Sequence, residues 1–341
     1  MREEADKIIN YTSNDFIIGV LDIGAKFGIH PSFRKIKNLA KYYLIDADSE
    51  ETEHLKDIYS QSENVFVFNE FMDSEEKCIE FFHYTHPGGH SAFKPDNSQI
   101  YWSKLRPGTS DILGSVNMRS ITLDDFVLRN NILADFIKID VEGKEPEVLI
   151  GSKSTLPRIL GIRCEILLNS LYENCEPSFS RIDLFLRKNG FVFLGFDSEA
   201  SNSRVAFSDI YIEKNYGQLI GLDGLWVKPP EEIILRNQLQ SICKYAIFCL
   251  LNGVQDLAIY VLQKSCQKYG TLNSQLNKLG FSNDLAPRRM VDFIEQEIAF
   301  ILFSLRDRPR YSANYLAEIF ETMFDKPWVK PGEYFRRYPL T

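Results

Sequence analysis

Short apolar runs alternate with helix-like stretches as far as about residue 229, and this alternation restricts the possible folds more than any other feature of the chain. Runs that are apolar at nearly every position are typical of strands buried on both faces, as in a parallel sheet. The helix-like stretches between them, for example 48–60 and 178–190, supply the crossover connections that parallel strands need. We therefore predict an α/β fold with a doubly wound, mostly parallel sheet. The predicted strands span 16–24, 41–48, 64–71, 135–140, 159–166, 190–197 and 223–229.

The pattern changes from about Glu231, where amphipathic helices follow one another without strands between them. The predicted helices span 231–253, 254–270, 286–307 and 312–324. The apolar stripe of the first one consists of Leu235, Leu239, Ile242, Ala246 and Leu250. We predict two domains, 1–230 and 231–341, of which the second is an all-helical C-terminal extension. Its expected role is packing or homodimer formation, and substrate gating or partner docking is the alternative.

The charge balance of the chain is acidic, since 39 Lys and Arg residues against 47 Asp and Glu residues give a net charge of −8. Binding to a phosphate backbone needs a basic surface, so we expect no nucleic-acid partner. The six cysteines are scattered and form no CxxC pair, which is typical of a reducing compartment without structural disulfides. The N-terminus lacks the apolar stretch of a signal peptide, and no apolar run is long enough to span a bilayer. We therefore expect a cytoplasmic protein.

A glycine turn follows the first predicted strand, in the segment VLDIGAKFGIHPS. Gly24 and Gly28 allow a sharp turn and a close approach to a ligand, and a helix predicted to start near Pro31 would present free N–H groups. A dinucleotide site would have a further glycine at the position of Lys26. The turn therefore suits an adenosine ligand with a carboxylate and an ammonium group better than a pyrophosphate. Asp22 is placed to hold that ammonium group, directly or through water.

Asp46 ends the second predicted strand, about 20 residues after the first glycine of the turn. Nucleotide-binding units of doubly wound sheets keep a carboxylate at this place for the ribose hydroxyls. The turn together with Asp46 favours a nucleoside site over a tight turn that only joins two elements.

Several segments between about residues 15 and 228 resemble the FkbM family of S-adenosylmethionine-dependent methyltransferases. VLDIGAKFG resembles the first motif of the family, YLIDADSEETEHL its second strand, and GGHSAFKPD its small-residue loop. The most specific segment is ITLDDFVLRNNILADFIKIDVEGKEPEVLIGS, with a Thr-Leu-Asp-Asp helix start, a Lys-Ile-Asp-Val-Glu-Gly strand end and a Glu-Val-Leu-x-Gly helix. Three positions depart from the family pattern: Lys26, Asp46 in place of the usual Glu, and Pro146. The helical C-terminus lies outside the resemblance.

The resemblance implies a Rossmann-like class I methyltransferase with a seven-stranded sheet whose final strand is antiparallel. It also implies that S-adenosylmethionine is the cofactor and that its methyl group passes to an acceptor hydroxyl, in a sugar or glycan precursor or another small molecule. On this basis, the residues assigned to cofactor binding are Asp22, Gly24, Ala25, Gly28, Asp46, Ser91 and Asp140.

Methyl transfer to a hydroxyl is an in-line displacement, in which a carboxylate or a histidine can take the hydroxyl proton. Asp140 and Glu142 end the fourth predicted strand, where donor and acceptor should meet, and are the first candidates for catalysis. Capping of the helix that starts near Lys144 is the alternative role of both acids. Lys138 is expected to pair internally with one of them. Glu165, at the end of the fifth predicted strand, orients a substrate hydroxyl or has a structural role.

Three histidines lie in the segment HYTHPGGHSAFKPD: His83, His86 and His90. His90 is a further candidate for catalysis as a general base, and a plain loop residue is the alternative. The spacing H-x-x-H-x-x-x-H also raises a zinc site. No cysteine or matching carboxylate lies nearby in sequence, and the resemblance does not imply a metal. We therefore predict no metal site.

Other functions compete with O-methylation of a sugar or glycan precursor. The chain could methylate a protein or an RNA, serve as a non-catalytic S-adenosylmethionine-binding scaffold, or act as a nicotinamide dehydrogenase. The acidic charge disfavours RNA, and the intact motif acids disfavour a scaffold. Lys26 in the glycine turn disfavours a dehydrogenase.

Overall fold

The computed structural model describes residues 16–104, 107–197, 204–206, 217–280, 285–306, 308 and 310–328. The chain forms two compact units, of which the first runs from Gly19 to Pro229 and the second includes the helices from Pro230 onward. The strands are β1 Ile18–Ile23, β2 Ala40–Asp46, β3 Val65–Asn69, β4 Phe71–Met72, β5 Cys78–Tyr84, β6 Ile112–Ile121, β7 Phe136–Ile139, β8 Gly161–Leu167, β9 Val192–Phe196, β10 Arg204–Val205, β11 Gln218–Leu219 and β12 Gly221–Val227. The helices are α1 Ser49–Ile58, α2 Ile100–Lys104, α3 Leu123–Arg129, α4 Glu145–Ile150, α5 Phe179–Lys188, α6 Pro230–Arg236, α7 Leu239–Leu251, α8 Gln255–Tyr269, α9 Leu272–Lys278, α10 Leu285–Leu305 and α11 Ala313–Phe324.

The larger sheet has seven strands in the order β3-β2-β1-β7-β8-β12-β9. β12 runs antiparallel to both of its neighbours, while the pairs β2–β3, β1–β7 and β7–β8 are parallel. Every residue of β1 and β7 is buried, which explains why these runs are apolar at nearly every position. The prediction of an α/β fold with a mostly parallel seven-stranded sheet is confirmed.

The helices α1 and α5 begin and end close to the predicted bounds. The carboxylate of Asp48 accepts hydrogen bonds from the first backbone N–H groups of α1 and caps that helix. α5 buries Ile182 and Leu186 and ends before Gly190, whose φ of +79° lies in the left-handed region. Serine at the start and glycine at the end therefore mark α5 correctly in the sequence.

A second sheet of three strands, in the order β4-β6-β5, has no counterpart among the sequence predictions. β5 and β6 pair antiparallel over their length. Six consecutive residues at the start of β6 are exposed, so this strand shows neither an apolar run nor a regular alternation. The loop after β5 returns to it through backbone hydrogen bonds between Phe82 and Ser91, and this return brings the predicted histidine loop to the carboxyl ends of the larger sheet.

The second unit is helical in its described residues, but the predicted helix 231–253 is wrong as a single element. It divides into α6 and α7 at Asn237, whose φ of +49° interrupts the helix. The break puts Leu235 out of phase with the predicted stripe, and its side chain is 68% exposed. The remaining stripe residues, all on α7, are buried: Leu239, Ile242, Ala246 and Leu250.

The other predicted helices correspond to α8, α10 and α11, although position 307 lies outside the described residues. α9 was not expected. None of the helices in the described ranges combines the length and the apolar content that a membrane crossing needs.

Candidate active site

The glycine turn after β1 brings the ends of β1 and β7 together. Gly24 has a φ of +75°, and a Cβ atom at this position would lie 1.7 Å from the backbone oxygen of Asp140. Gly28 has a φ of +86°, and a Cβ atom there would lie 2.5 Å from the phenolic oxygen of Tyr59. Both positions favour glycine for their backbone conformation, and at Gly24 the close approach of a backbone oxygen also leaves no room for a side chain.

The turn leads into a short 3-10 helix, Pro31–Ile36, which starts where a helix was expected but is not an α-helix. The carboxylate of Asp22 accepts a hydrogen bond of 3.0 Å from the backbone N–H of His30, just before this helix. Asp22 is only 1% exposed. Burial raises the pKa of Asp22 above its usual value, and the nearby Lys138 ammonium offsets only part of this shift. Asp22 therefore fixes the backbone of the turn at His30 through its buried carboxylate.

Lys138 lies in the middle of β7 and holds the strand ends together. Its Nζ atom donates to the backbone oxygen of Gly24 at 2.7 Å and lies 3.3 Å from Asp22 Oδ1 and 3.5 Å from Asp140 Oδ2. Burial by itself lowers the pKa of Lys138. The charges of the nearby carboxylates, Asp140 first, raise this pKa by a larger amount, so the net shift is upward. The predicted internal ion pair of Lys138 is confirmed, with Asp22 as a second partner.

Asp46 ends β2 beside the turn. Its Oδ1 accepts from the backbone N–H of Asp48 at 2.9 Å, and the residue is 8% exposed. Burial raises the pKa of Asp46 to about 6. Asp48 in turn holds Lys26 at 2.6 Å, so the lysine that departs from the family pattern takes part in an ion pair.

Three carboxylates meet at the ends of β7 and β8: Asp140, Glu142 and Glu165. One oxygen of each lies within 4.8 Å of one oxygen of the other two. Tyr172 Oη donates to Glu142 Oε2 at 2.6 Å. Burial, and then the charges of Asp140 and Glu142, raise the pKa of Glu165 well above its usual value. All three acids are candidates from their positions at strand ends in the sequence, but their meeting in one cluster is not predicted there.

The alternative capping role of Asp140 and Glu142 belongs to another residue. Glu145, in the first turn of α4, accepts backbone hydrogen bonds from Val141 at 2.9 Å and Gly143 at 3.2 Å. The N-cap residue Lys144 makes no side-chain cap hydrogen bond. Because Glu145 satisfies the loop N–H groups, the carboxylate of Glu142 can turn towards Tyr172 and that of Asp140 towards Lys138.

His90 is held as a neutral ring. Its Nδ1 atom accepts from the backbone N–H of Tyr84 at 3.0 Å, and its Nε2 atom lies 3.5 Å from Asp48 Oδ2. Burial, followed by the charge of Lys26, lowers the pKa of His90 to about 4. With Nδ1 as acceptor, the proton belongs on Nε2, and the ring has no lone pair left for an acceptor hydroxyl. The geometry therefore disfavours His90 as a general base.

Two further residues predicted to bind the cofactor are buried away from open space. The hydroxyl of Ser91 donates to the backbone oxygen of Glu142 at 2.7 Å and accepts from the N–H of Phe93. Ala25 is 1% exposed. Neither residue lines the cavity described below, and the same holds for Asp22. All three fix the backbone around the cavity, because their side chains are bonded to or packed against neighbouring segments.

The other predicted site residues line one cavity of about 390 Å³ at the carboxyl ends of β1, β2, β7 and β8. A volume of this size suits a small-molecule ligand. The cavity is lined by Ile23, Gly24, Lys26, Phe27, Gly28, Ile29, His30, Pro31, Arg34, Ile45, Asp46, Ala47, Glu70, Phe71, Met72, Phe81, Pro87, Gly88, His90, Lys138, Asp140, Val141, Glu142 and Glu165. Ligands of open α/β sheets bind at this edge.

Some residues that line the cavity are not among those predicted from the sequence. Phe27 is 70% exposed and has a φ of +68°, which places an aromatic ring at the mouth of the cavity at the cost of backbone strain. Arg34 and Glu70 come from the 3-10 helix and from the end of β3. An exposed aromatic residue within a glycine turn is a recognisable pattern, whereas no sequence pattern marks Arg34 or Glu70.

The three histidines of the H-x-x-H-x-x-x-H spacing do not bring their ligand atoms together within the described part of the chain. His86 Nδ1 accepts from the backbone N–H of Gly88 instead.

No curated protein sequence matches this chain. The family model described as the Methyltransferase FkbM domain matches residues 22–193. The match begins at Asp22 in β1 and ends in β9, so it contains the glycine turn, Asp46 and the three clustered acids. It covers half of the chain, and it supports a methyltransferase activity. The chain belongs to the FkbM methyltransferase family.

Proposed function

We propose that the protein transfers a methyl group from S-adenosylmethionine to a hydroxyl oxygen of a small-molecule or glycan acceptor. The main support for this proposal is that one cavity is lined by the Gly24–Gly28 turn, by Asp46 and by the Asp140–Glu142–Glu165 cluster. We further propose that residues 1–230 form a Rossmann-like class I methyltransferase domain. The mostly parallel sheet with an antiparallel β12 supports this assignment.

The turn and Asp46 form the donor half of the proposed site. The turn allows the ligand to approach the backbone of β1 closely. Asp46 offers a carboxylate to the two ribose hydroxyls, and its burial strengthens hydrogen bonds to them. Because its pKa is about 6, Asp46 is mostly ionised at pH 7 and accepts from both hydroxyls. When bound, the donor supplies a methyl group already activated by a positive sulfur.

The acid cluster forms the acceptor half. The chain has to align the acceptor oxygen with the methyl carbon and the sulfur, and to take the hydroxyl proton. The oxygen–carbon bond forms as the carbon–sulfur bond breaks, and the proton passes to a carboxylate. Asp140 is the proposed base, because its side chain is 40% exposed and lines the cavity. Glu142, held by Tyr172, and Glu165 orient the acceptor.

Calorimetry with the complete chain tests the donor half. S-adenosylmethionine and its demethylated product should bind, and NAD should not. Asp46→Asn keeps the shape of the side chain, removes its charge and should weaken donor binding about 10- to 100-fold, the usual effect of losing charge-assisted hydrogen bonds. Asp57→Asn, on the exposed side of α1, is the matched control and should bind as the wild type does. Absence of binding of both donor forms would refute the proposal.

Transfer of an isotopically labelled methyl group tests the acceptor half. Asp140→Asn should reduce kcat about 10²- to 10⁴-fold, the usual contribution of general-base catalysis. NMR of the labelled product shows whether the methyl group is on oxygen. A label recovered on protein or RNA would contradict a small-molecule acceptor.

The homodimer through the C-terminal helices and the cytoplasmic location stay predictions. Sedimentation of the complete chain over a range of concentrations tests the first, since a monomer at all concentrations would contradict it.

A further inference from the structure

We propose that Asp140, Glu142 and Glu165 bind a hard divalent cation. No metal site is predicted from the sequence, because no cysteine or matching carboxylate lies near the histidine spacing and the family resemblance implies no metal. The three acids come together only in the fold, because β7 and β8 are adjacent parallel strands with Ile139 opposite Cys164. The next residue of β7 is Asp140 and the next residue of β8 is Glu165, so their carboxylates stand side by side.

The spacing of the oxygens fits a single ion. Two ligands of one ion cannot be farther apart than twice the metal–oxygen distance, which gives about 4.6–5.2 Å for Ca²⁺ and about 4.0–4.2 Å for Mg²⁺. The ligand oxygens of the cluster all lie within 4.8 Å of one another, so one point lies within about 2.8 Å of all three. A Ca²⁺-sized ion therefore needs at most a small closure of the carboxylates, and Mg²⁺ needs a larger one.

An independent observation also points to a missing partner. The Oε2 atom of Glu165 is closed off from solvent and accepts no hydrogen bond from any described residue. A buried carboxylate oxygen without a partner is costly unless a proton or a cation satisfies it. Glu165 is also one of the residues that line the cavity.

Lys138 brings an ammonium group to the cluster, with Nζ 3.5 Å from Asp140 Oδ2. Lys138 also serves Asp22 and the backbone oxygen of Gly24, so its charge is shared with groups outside the cluster. A divalent cation would add positive charge at the three carboxylates.

The ligand set favours a hard cation, because it consists of carboxylate oxygens alone. Such sites bind Mg²⁺, Mn²⁺ or Ca²⁺, whereas zinc and copper prefer histidine and cysteine. The Tyr172 hydroxyl fixes the rotation of the Glu142 carboxylate, as outer-sphere donors do in metal sites. Coordination positions beyond the three carboxylates stay open to water or to an oxygen ligand in the cavity.

Manganese binding to the complete chain, followed by electron paramagnetic resonance, tests the proposal. One Mn²⁺ per chain should bind, and Ca²⁺ should displace it more readily than Mg²⁺ does. Glu165→Gln and Glu142→Gln should each weaken binding about 10- to 100-fold or more. Glu70→Gln, a carboxylate of the same cavity outside the cluster, is the matched control and should leave Mn²⁺ affinity unchanged. Circular dichroism verifies that each variant is folded.

The proposal is overturned if millimolar Mn²⁺ does not bind, or if both cluster variants bind it as the wild type does. It is also overturned if infrared spectra show that Glu165 keeps a proton in the presence of Mn²⁺. The titration contains no donor or acceptor, so it does not depend on the proposed methyl transfer. Failure of either proposal leaves the other standing.

Discussion

Replacing Lys138 with methionine should destabilise the protein by about 3–5 kcal/mol at pH 7, the usual cost of breaking a buried ion pair from one side. The change keeps most of the side-chain volume and removes the ammonium group. Asp22, which is 1% exposed, then becomes a buried carboxylate without a cation. The backbone oxygen of Gly24 loses its donor at the same time.

The magnitude follows from the distances around Nζ. At 3.3 Å from Asp22 Oδ1, the attraction is about 5 kcal/mol for an effective dielectric constant of about 20. The lost hydrogen bond to Gly24 adds about 1–3 kcal/mol. Release of the buried ammonium from its desolvation offsets part of this sum, which leaves the expected net loss of about 3–5 kcal/mol.

Urea denaturation at pH 5 and pH 7 gives the free energy of unfolding of both proteins. Burial already raises the pKa of Asp22, and loss of the Lys138 charge raises it further. The folded variant then binds a proton at a pH where the unfolded chain releases it, so its stability increases as the pH falls. The deficit of the variant should therefore be smaller at pH 5 than at pH 7.

Lys56→Met is the matched control. Lys56 pairs with Glu53 at 2.7 Å, but the two side chains are 47% and 73% exposed, so the loss should stay below about 1 kcal/mol. In the double variant Lys138→Met/Asp22→Asn the unpaired charge is gone, and an amide oxygen still accepts from His30. Stability should partly return. A loss below about 1 kcal/mol, no change with pH, or no recovery in the double variant would refute the reasoning.

Two further predictions concern the backbone around the site. Gly24→Ala should lower Tm far more than Gly108→Ala. Both positions have a positive φ, which costs about 1–2 kcal/mol for alanine. A Cβ atom at Gly24 would also lie 1.7 Å from a backbone oxygen, whereas Gly108 faces open space. Equal decreases of Tm in the two variants would contradict the close approach of β1 and β7. Burial raises the pKa of Glu145 to about 7, so this carboxyl should make the protein more stable as the pH falls from about 8 to 5. Glu145→Gln should therefore reduce the slope of Tm against pH over this range. An unchanged slope would show that Glu145 is ionised throughout.

Local patterns were enough for much of the sheet and for the positions of the main acids. The buried strand β1, the turn at Gly24, and the end of β2 at Asp46 follow from apolar runs, glycine positions and strand ends within a few residues. The exposed strand β6 and the break at Asn237 do not. A half-exposed hairpin has no apolar periodicity, and a left-handed asparagine within a helical pattern leaves the periodicity almost intact.

The sequence by itself determined the strands of the larger sheet, where the glycine turn lies and which strand ends carry acids. Only the tertiary structure decided what each of those side chains does. Lys138 contacts Asp22 across 116 positions, and the Ser91 hydroxyl reaches Glu142 across 51. The capping role passed to Glu145, and Asp140, Glu142 and Glu165 became one cluster. Such roles depend on distance, burial and the available hydrogen-bond partners, which long-range packing sets and local periodicity does not encode.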